Sequence, residues 1–218
     1  MGGILKPTRC WGPNGEVEIN DQQPVSIGVT GHSRFSHFSC RKKLSNGKQR
    51  RLAGYRGKVV LLDFWGIWCT PCIHAIPAMK QLHQRYQDDE VVFFSIHTGG
   101  SDMAMVKRMV KQYQWQTMVG LDVRTDIASG ETTRRYAIQG YPTLIVIDRA
   151  GVVTFNSGDI PADRDAFMRE MQERAAAIGL PWPIEKDATD EEVIERMTKL
   201  QAETWGRMID QALKTDAE

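Results

Sequence analysis

The chain has 218 residues, 41% of them apolar, which is enough material for one sizeable core with extensions. Its 28 basic residues offset 27 acidic ones for a net charge of +1, so nothing in the overall balance points to nucleic acid or to an anionic membrane surface. No run reaches the roughly 20 apolar residues that span a bilayer, and the start, Met1-Gly2-Gly3-Ile4-Leu5-Lys6-Pro7, carries no apolar signal region.

Residues 1–43 read as a polar, loop-rich N-terminal extension. Two cysteines, Cys10 and Cys40, stand alone in it, either as a second disulfide tying the extension down or as free thiols. From Asp21 to Asp63 no acidic residue intervenes, while basic residues run from Arg34 to Lys58. Such a run is read as a solvated face rather than a docking patch for an acidic partner. Within it, Leu44 to Leu52 has an Asn46-Gly47 pair at its centre and predicts a β-hairpin.

Lys58 to Trp65 is short, apolar and β-branched at its start, the pattern of a strand buried on both faces. Asp63 is its one misfit. The strand hands over to Trp68-Cys69-Thr70-Pro71-Cys72, and Ile73 to Tyr86 then follows helical spacing. Two cysteines separated by two residues at a helix start make a pair able to open and close a disulfide. The attacking species is the thiolate, which the helix dipole and unpaired N–H groups stabilise, so Cys69 is the expected attacking thiol. Pro71 suits the first helical turn. Cys72, one turn further in, is expected to resolve the mixed disulfide, with Asp63 on the strand beneath as its proton acceptor. A structural zinc site wants four ligands, and this pair has neither a second pair nor histidines at metal spacing, so no metal is expected.

Val91 to Ile96 predicts a second buried strand, and Asp102 to Tyr113 a helix with Met105, Met109 and Val110 on one side. Met103, Met105 and Met109 at helical spacing read as core fillers, not as a soft-metal site. Thr132 to Ala137 leads into Gly140-Tyr141-Pro142-Thr143-Leu144. Leu144 to Ile147 and Val152 to Phe155 then form a hairpin through Arg149-Ala150-Gly151. After Gly179, Pro181-Trp182-Pro183 is a rigid break. Asp190 to Lys214 predicts a helix with a stripe of Val193, Met197, Leu200, Thr204, Met208 and Ala212, flanked by Trp205, Ile209 and Leu213. The stripe is expected to pack back on the domain, with pairing to a second copy of the chain as the other use. Three segments result: the extension 1–43, a domain over 44–179, and a C-terminal helical extension over 180–218.

Residues from about Leu44 to Gly179 resemble the thioredoxin superfamily, and within it the TlpA/ResA-like thiol-disulfide oxidoreductases. Gly57 to Cys72 carries the resemblance, together with Pro77, the proline that kinks the active-site helix of that family, and Gly140 to Leu144, which matches its cis-proline segment. The resemblance implies an α/β thioredoxin-like fold: a central mixed β-sheet flanked by helices, here with an N-terminal β-hairpin extension and a C-terminal helix. It implies a reductant of protein disulfides that needs no cofactor and draws electrons from a redox protein. It also implies that Pro142 is cis and faces the cysteines, that the backbone of Tyr141 pairs with an extended substrate segment, and that Trp68, Thr70 and Pro71 meet the substrate around the pair. Gly99 to Gly130 resembles the insertion that separates this group from minimal thioredoxin. Asp63 matches the buried aspartate of thioredoxin, whereas the glutamate that many relatives carry three residues after the second cysteine is Ala75 here.

Relatives of this kind usually work outside the cytoplasm on an N-terminal anchor. That location is expected if the chain is a piece of a longer protein, and a cytoplasmic one if it is whole. Peroxiredoxins share the fold, but their peroxide-binding threonine, three residues before the reactive cysteine, is Gly66 for Cys69 and Cys69 for Cys72. A thiol peroxidase is therefore the alternative reading, alongside a redox-inactive binding module on the same fold.

Overall fold

The computed structural model describes residues 8–12, 15–19, 39–42, 50–87, 90–98, 103–115, 117–122, 130–159 and 163–215. Its centre is the strand β5 (Val59–Trp65), all seven residues of which are buried. Parallel to it runs β6 (Val91–His97), and parallel to β6 runs β7 (Met118–Leu121). On the other side of β5, β8 (Thr143–Ile147) and β9 (Val153–Asn156) pair antiparallel. The mixed sheet β7-β6-β5-β8-β9 is flanked by helices, as a thioredoxin-like fold requires.

Past β7 the sheet continues into β1 (Thr8–Gly12), β2 (Gly15–Ile19), β3 (Ser39–Lys42) and β4 (Arg50–Arg51), giving the order β4-β3-β2-β1-β7-β6-β5-β8-β9. The N-terminal segment therefore adds three strands where the sequence reads as loop. The hairpin expected over Leu44 to Leu52 is wider than its Asn-Gly signal: β3 pairs with β4 from Ser39↔Arg51, its tip lies outside the described residues, and Leu52–Tyr55 is a 3-10 helix. Cys10 and Cys40 lie on β1 and β3 with β2 between them, and the question of their bridge falls on side chains outside the described ones.

Strand alternation divides the core into two layers. Val59, Leu61 and Trp65 face one side with Cys69, Cys72 and the inner face of α1 (Thr70–Arg85). Val60, Leu62 and Phe64 face the other, against Phe94, Ile96 and Tyr136. Helix α2 (Met103–Gln112) turns Val106 and Val110 inward with Trp115. That corrects the expected methionine face: Met105 is exposed and Met109 only partly buried, because the i, i+4 pair Val106 and Val110 sets the inner stripe and Met105 falls one residue off it. Met103's side chain lies outside the described ones. A short α3 (Glu131–Arg135) is tied down by Asp122, whose carboxylate accepts from the Thr132 and Thr133 backbone N–H groups at 2.8 Å each.

Helix α4 (Arg164–Ala176), capped by the Asp163 side chain, leads through a break containing a cis Trp182-Pro183 bond to α5 (Asp190–Leu213). Thr189 and Glu192 close a capping box at the start of α5. The helix packs back on the domain: Leu200, Trp205, Ile209 and Ala212 are buried, and Ala202, Trp205, Ile209 and Ala212 join the α1 layer. The contact is close at Gly206, whose absent Cβ would lie 2.9 Å from an Arg85 guanidinium nitrogen. There Arg85 donates to Asp210 at 2.6 Å, and the Tyr86 hydroxyl lies 2.6 Å from Asp210 Oδ1 and 2.9 Å from the Gly206 carbonyl oxygen.

Candidate active site

The chain leaves β5 at Trp65, turns through Gly66-Ile67-Trp68 and enters α1 with Cys69 as its N-cap. The Cys69 N–H donates to the Gly66 carbonyl at 3.0 Å, closing the turn. Pro71 occupies the first helical turn, where its missing N–H costs nothing. Cys69 and Cys72 form a disulfide with Cα atoms 5.2 Å apart, and the Cys72 N–H donates to Cys69 Sγ at 3.2 Å. A backbone N–H and the positive end of α1 are thus aimed at the Cys69 sulfur, the arrangement that favours a thiolate there. Both cysteines are buried, whereas Thr70 and Pro71 between them are exposed.

Asp63 belongs by strand alternation to the face that carries Leu61, Trp65 and the cysteines, and it is 5% exposed. Burial pushes its carboxyl up to about 7, a shift partly opposed by the hydrogen bond from Ser95 Oγ to Asp63 Oδ2 at 3.4 Å. Ser95 Oγ in turn lies 3.2 Å from Thr117 Oγ1. A carboxyl that titrates near neutrality under the cysteine layer can exchange a proton at the pH where thiols begin to ionise.

The Tyr141-Pro142 bond is cis. Tyr141 meets the half-exposed Trp68 edge to face, with ring centroids 5.4 Å apart, so the cysteine turn and the Pro142 segment form one surface. Beside Tyr141 and Pro142 opens a cavity of about 270 Å³ whose apolar lining comes from Phe167 and Met171 of α4 and from Met197, Leu200 and Trp205 of α5. The structure therefore gathers Trp68, Cys69, Thr70, Pro71, Cys72, Tyr141 and Pro142 at one end of the sheet, with Asp63 beneath. Ala75, at the departure from the family pattern, is buried in the α1 layer.

Sequence reasoning misses His97 and Thr98, at the C-terminal end of β6. His97 is buried, accepts the Ile67 N–H on Nε2 at 3.0 Å and stands edge to face with Trp65 at 5.0 Å. Burial lowers its pKa to about 4, so the imidazole is neutral at ordinary pH. The Thr98 carbonyl accepts from Trp68 Nε1 at 3.3 Å, and Thr98 Oγ1 accepts from the Tyr141 hydroxyl at 3.3 Å. The available signal is position: sites on parallel strands gather beyond their carboxyl ends, and the apolar strand pattern itself ends at Ile96.

Residues 33–156 match the model of the AhpC/TSA family. The chain belongs to the AhpC/TSA family. Among curated relatives, thiol-disulfide oxidoreductase ResA of Bacillus thuringiensis subsp. konkukian (strain 97-27) is 36% identical over 107 residues, covering 49% of this chain and 58% of the relative. The chain thus spans less than two thirds of ResA. Thioredoxin-like protein YneN of Bacillus subtilis (strain 168) is 30% identical over 128 residues, covering 58% of this chain and 71% of YneN. Among solved structures, a candidate thiol:disulfide interchange protein DsbE from Chlorobium tepidum aligns with a TM-score of 0.50 and 28% identity over 68% of this chain and 99% of that one. The thioredoxin-like superfamily protein SPOA0173 aligns with a TM-score of 0.53 and 20% identity over 78% of this chain and 88% of that one, a likeness of fold. In this AhpC/TSA chain, α4, α5 and the outer wall of the cavity beside Pro142 lie beyond the matched residues.

Proposed function

We propose that this chain is a thiol-disulfide oxidoreductase that reduces disulfides in extended protein segments. The observation that carries the reading is the Cys69–Cys72 disulfide with Cys69 as the N-cap of α1 and a neighbouring N–H directed at its sulfur. In the reduced protein the Cys69 thiolate attacks a substrate disulfide, forming a mixed disulfide and releasing one substrate thiolate. Cys72 gives its proton to the Asp63 carboxylate and attacks Cys69 Sγ. That releases the second substrate thiolate and re-forms the Cys69–Cys72 disulfide. Two electrons pass from the dithiol to the substrate, and a partner redox protein returns them.

The substrate strand is read as lying along the Tyr141 backbone beside Pro142, with Trp68, Thr70 and Pro71 on its other side. The cavity next to Pro142, with apolar walls from α4 and α5 and with Asp159, Glu170 and Arg174 also in its lining, supports this, since a side chain projecting from such a strand has a place to go. The names of ResA and DsbE agree with the same class of chemistry. A thiol peroxidase is disfavoured by Gly66 and Cys69 at the positions where a peroxide-binding threonine would stand.

The test is trapping. Cys72→Ser, incubated with a peptide carrying one internal disulfide, is expected to accumulate a mixed disulfide through Cys69, while Cys69→Ser accumulates none. Trapping by Cys69→Ser alone reverses the roles, and no adduct with either variant contradicts the exchange reading.

A further inference from the structure

The turn that carries the cysteines is held from a distance. Gly66-Ile67-Trp68 joins a buried strand to a helix, and each of its polar groups needs a partner. The Gly66 carbonyl has the Cys69 N–H. The Ile67 N–H has a side chain thirty residues away, donating to His97 Nε2 at 3.0 Å. One residue further, the Trp68 indole N–H donates to the Thr98 carbonyl at 3.3 Å, and the Thr98 N–H returns to the Trp65 carbonyl at 2.9 Å. Thr98 also reaches the second half of the site, because its Oγ1 lies 3.3 Å from the Tyr141 hydroxyl and 3.4 Å from Thr133 Oγ1. Thr133 is itself fixed by Asp122, at 2.7 Å from its hydroxyl.

We propose that His97 and Thr98 are positioning residues for thiol-disulfide exchange: His97 fixes the turn that delivers Cys69 through the lone pair of Nε2, and Thr98 ties that turn to the Tyr141-Pro142 segment. The proposal rests on the exchange reading above and adds two residues outside the Cys69–Cys72 pair. Only a neutral imidazole with its proton on Nδ1 presents an acceptor to the Ile67 N–H. Its surroundings keep it so: His97 is 1% exposed, the Trp65 edge stands at 5.0 Å, and burial lowers its pKa to about 4. An apolar side chain would fill the same volume without the desolvation cost, yet would leave a backbone N–H at the reactive turn without its acceptor. What the histidine adds is orientation. Exchange needs three sulfurs in line, and a displacement of about 1 Å in such a site costs on the order of a hundredfold in rate.

The experiment compares full-length wild type, His97→Leu, His97→Gln and Thr98→Val in dithiothreitol-driven reduction of insulin, with thermal midpoints measured alongside. His97→Leu removes the acceptor and is expected to lower kcat by tenfold or more. His97→Gln keeps an acceptor at the Nε2 position and is expected to return kcat to within about threefold of wild type. Thr98→Val keeps the shape but loses the Tyr141 contact, and is expected to raise KM several-fold with kcat nearly unchanged. A direct readout on folded wild type is the through-hydrogen-bond coupling between Ile67 ¹⁵N and His97 ¹⁵Nε2, which is expected to be observed and does not depend on any variant folding. Absence of that coupling overturns the proposal, as does His97→Leu with wild-type kcat, or His97→Gln as slow as His97→Leu at equal thermal midpoints. Wild type inert toward insulin overturns the exchange reading and this role with it, whereas wild-type turnover that His97→Leu retains overturns the positioning role alone.

Discussion

Asp63→Asn should stabilise the oxidised protein, and by an amount that depends on pH. In the folded chain the Asp63 carboxyl titrates near 7, against 3.8 for the free group, because burial among the α1-side residues penalises its charge. Between those two values the folded state holds a proton that the unfolded state has released, so the carboxyl's contribution to stability falls as pH rises through the window and is fully lost above about 7. The shift spans about three pKa units at roughly 1.4 kcal/mol each, an upper limit on the order of 4 kcal/mol. An amide carries no such penalty. Urea unfolding of the oxidised wild type and Asp63→Asn at pH 4.5, 6 and 8 checks this, with Cys69 and Cys72 held in their disulfide so that neither of them titrates and any other thiol cancels in the difference. His97 and His83, both lowered to about 4 by burial, tilt the wild-type curve the other way between 4 and 6.5, and the difference between the two proteins cancels them. The difference should grow from pH 4.5 to a plateau near pH 8. A difference that is flat with pH, or that grows toward acid, refutes the assignment of a buried, near-neutral carboxyl to Asp63.

In the reduced protein near neutral pH, iodoacetamide should modify Cys69 before Cys72, because the N-cap sulfur has the helix dipole and a backbone N–H; mass mapping reads the order. Gly66→Ala places a Cβ 2.6 Å from the Trp68 ring, so the indole must leave Thr98 and Tyr141. The insulin KM should then rise several-fold, as steady-state kinetics would show. Ile209→Ala removes a fully buried side chain of α5 and should cost about 2–5 kcal/mol in urea unfolding, which tests whether the C-terminal helix is part of the domain's core.

The sequence makes the centre of the fold legible because its signals are strong and local. β5 is an apolar run interrupted only by Asp63, α1 has a proline in its first turn, and β8 and β9 flank a turn that closes at Gly151 with φ +82°. The stripe of α5 is long enough to show its face, although small buried residues such as Ala202 and Gly206 become visible only against Arg85 and Tyr86. β7 is four residues long and contains a glycine, so no periodicity develops before it ends. α4 is dominated by charged residues and announces itself only by its Asp163 cap. β1 to β4 pair each with the next along the chain, and β1 joins the central sheet through β7 more than a hundred residues away, a pairing that composition does not display. At the site, the family resemblance implies the cis bond at Pro142, and the cysteines and Asp63 are legible because each departs from an ordinary strand or turn. His97 and Thr98 are not, since their meaning lies in contacts with residues 30 and 43 positions away.

The reduction potential of the Cys69–Cys72 pair, measured by equilibration with glutathione or dithiothreitol buffers and thiol counting, tests the exchange chemistry most directly. A reversible two-electron couple in the reducing range, near the roughly −270 mV of thioredoxin, is the predicted result. A couple near the roughly −120 mV of a strong oxidant would contradict the proposed direction of electron flow, and a disulfide that never equilibrates with the buffers would contradict the exchange chemistry itself.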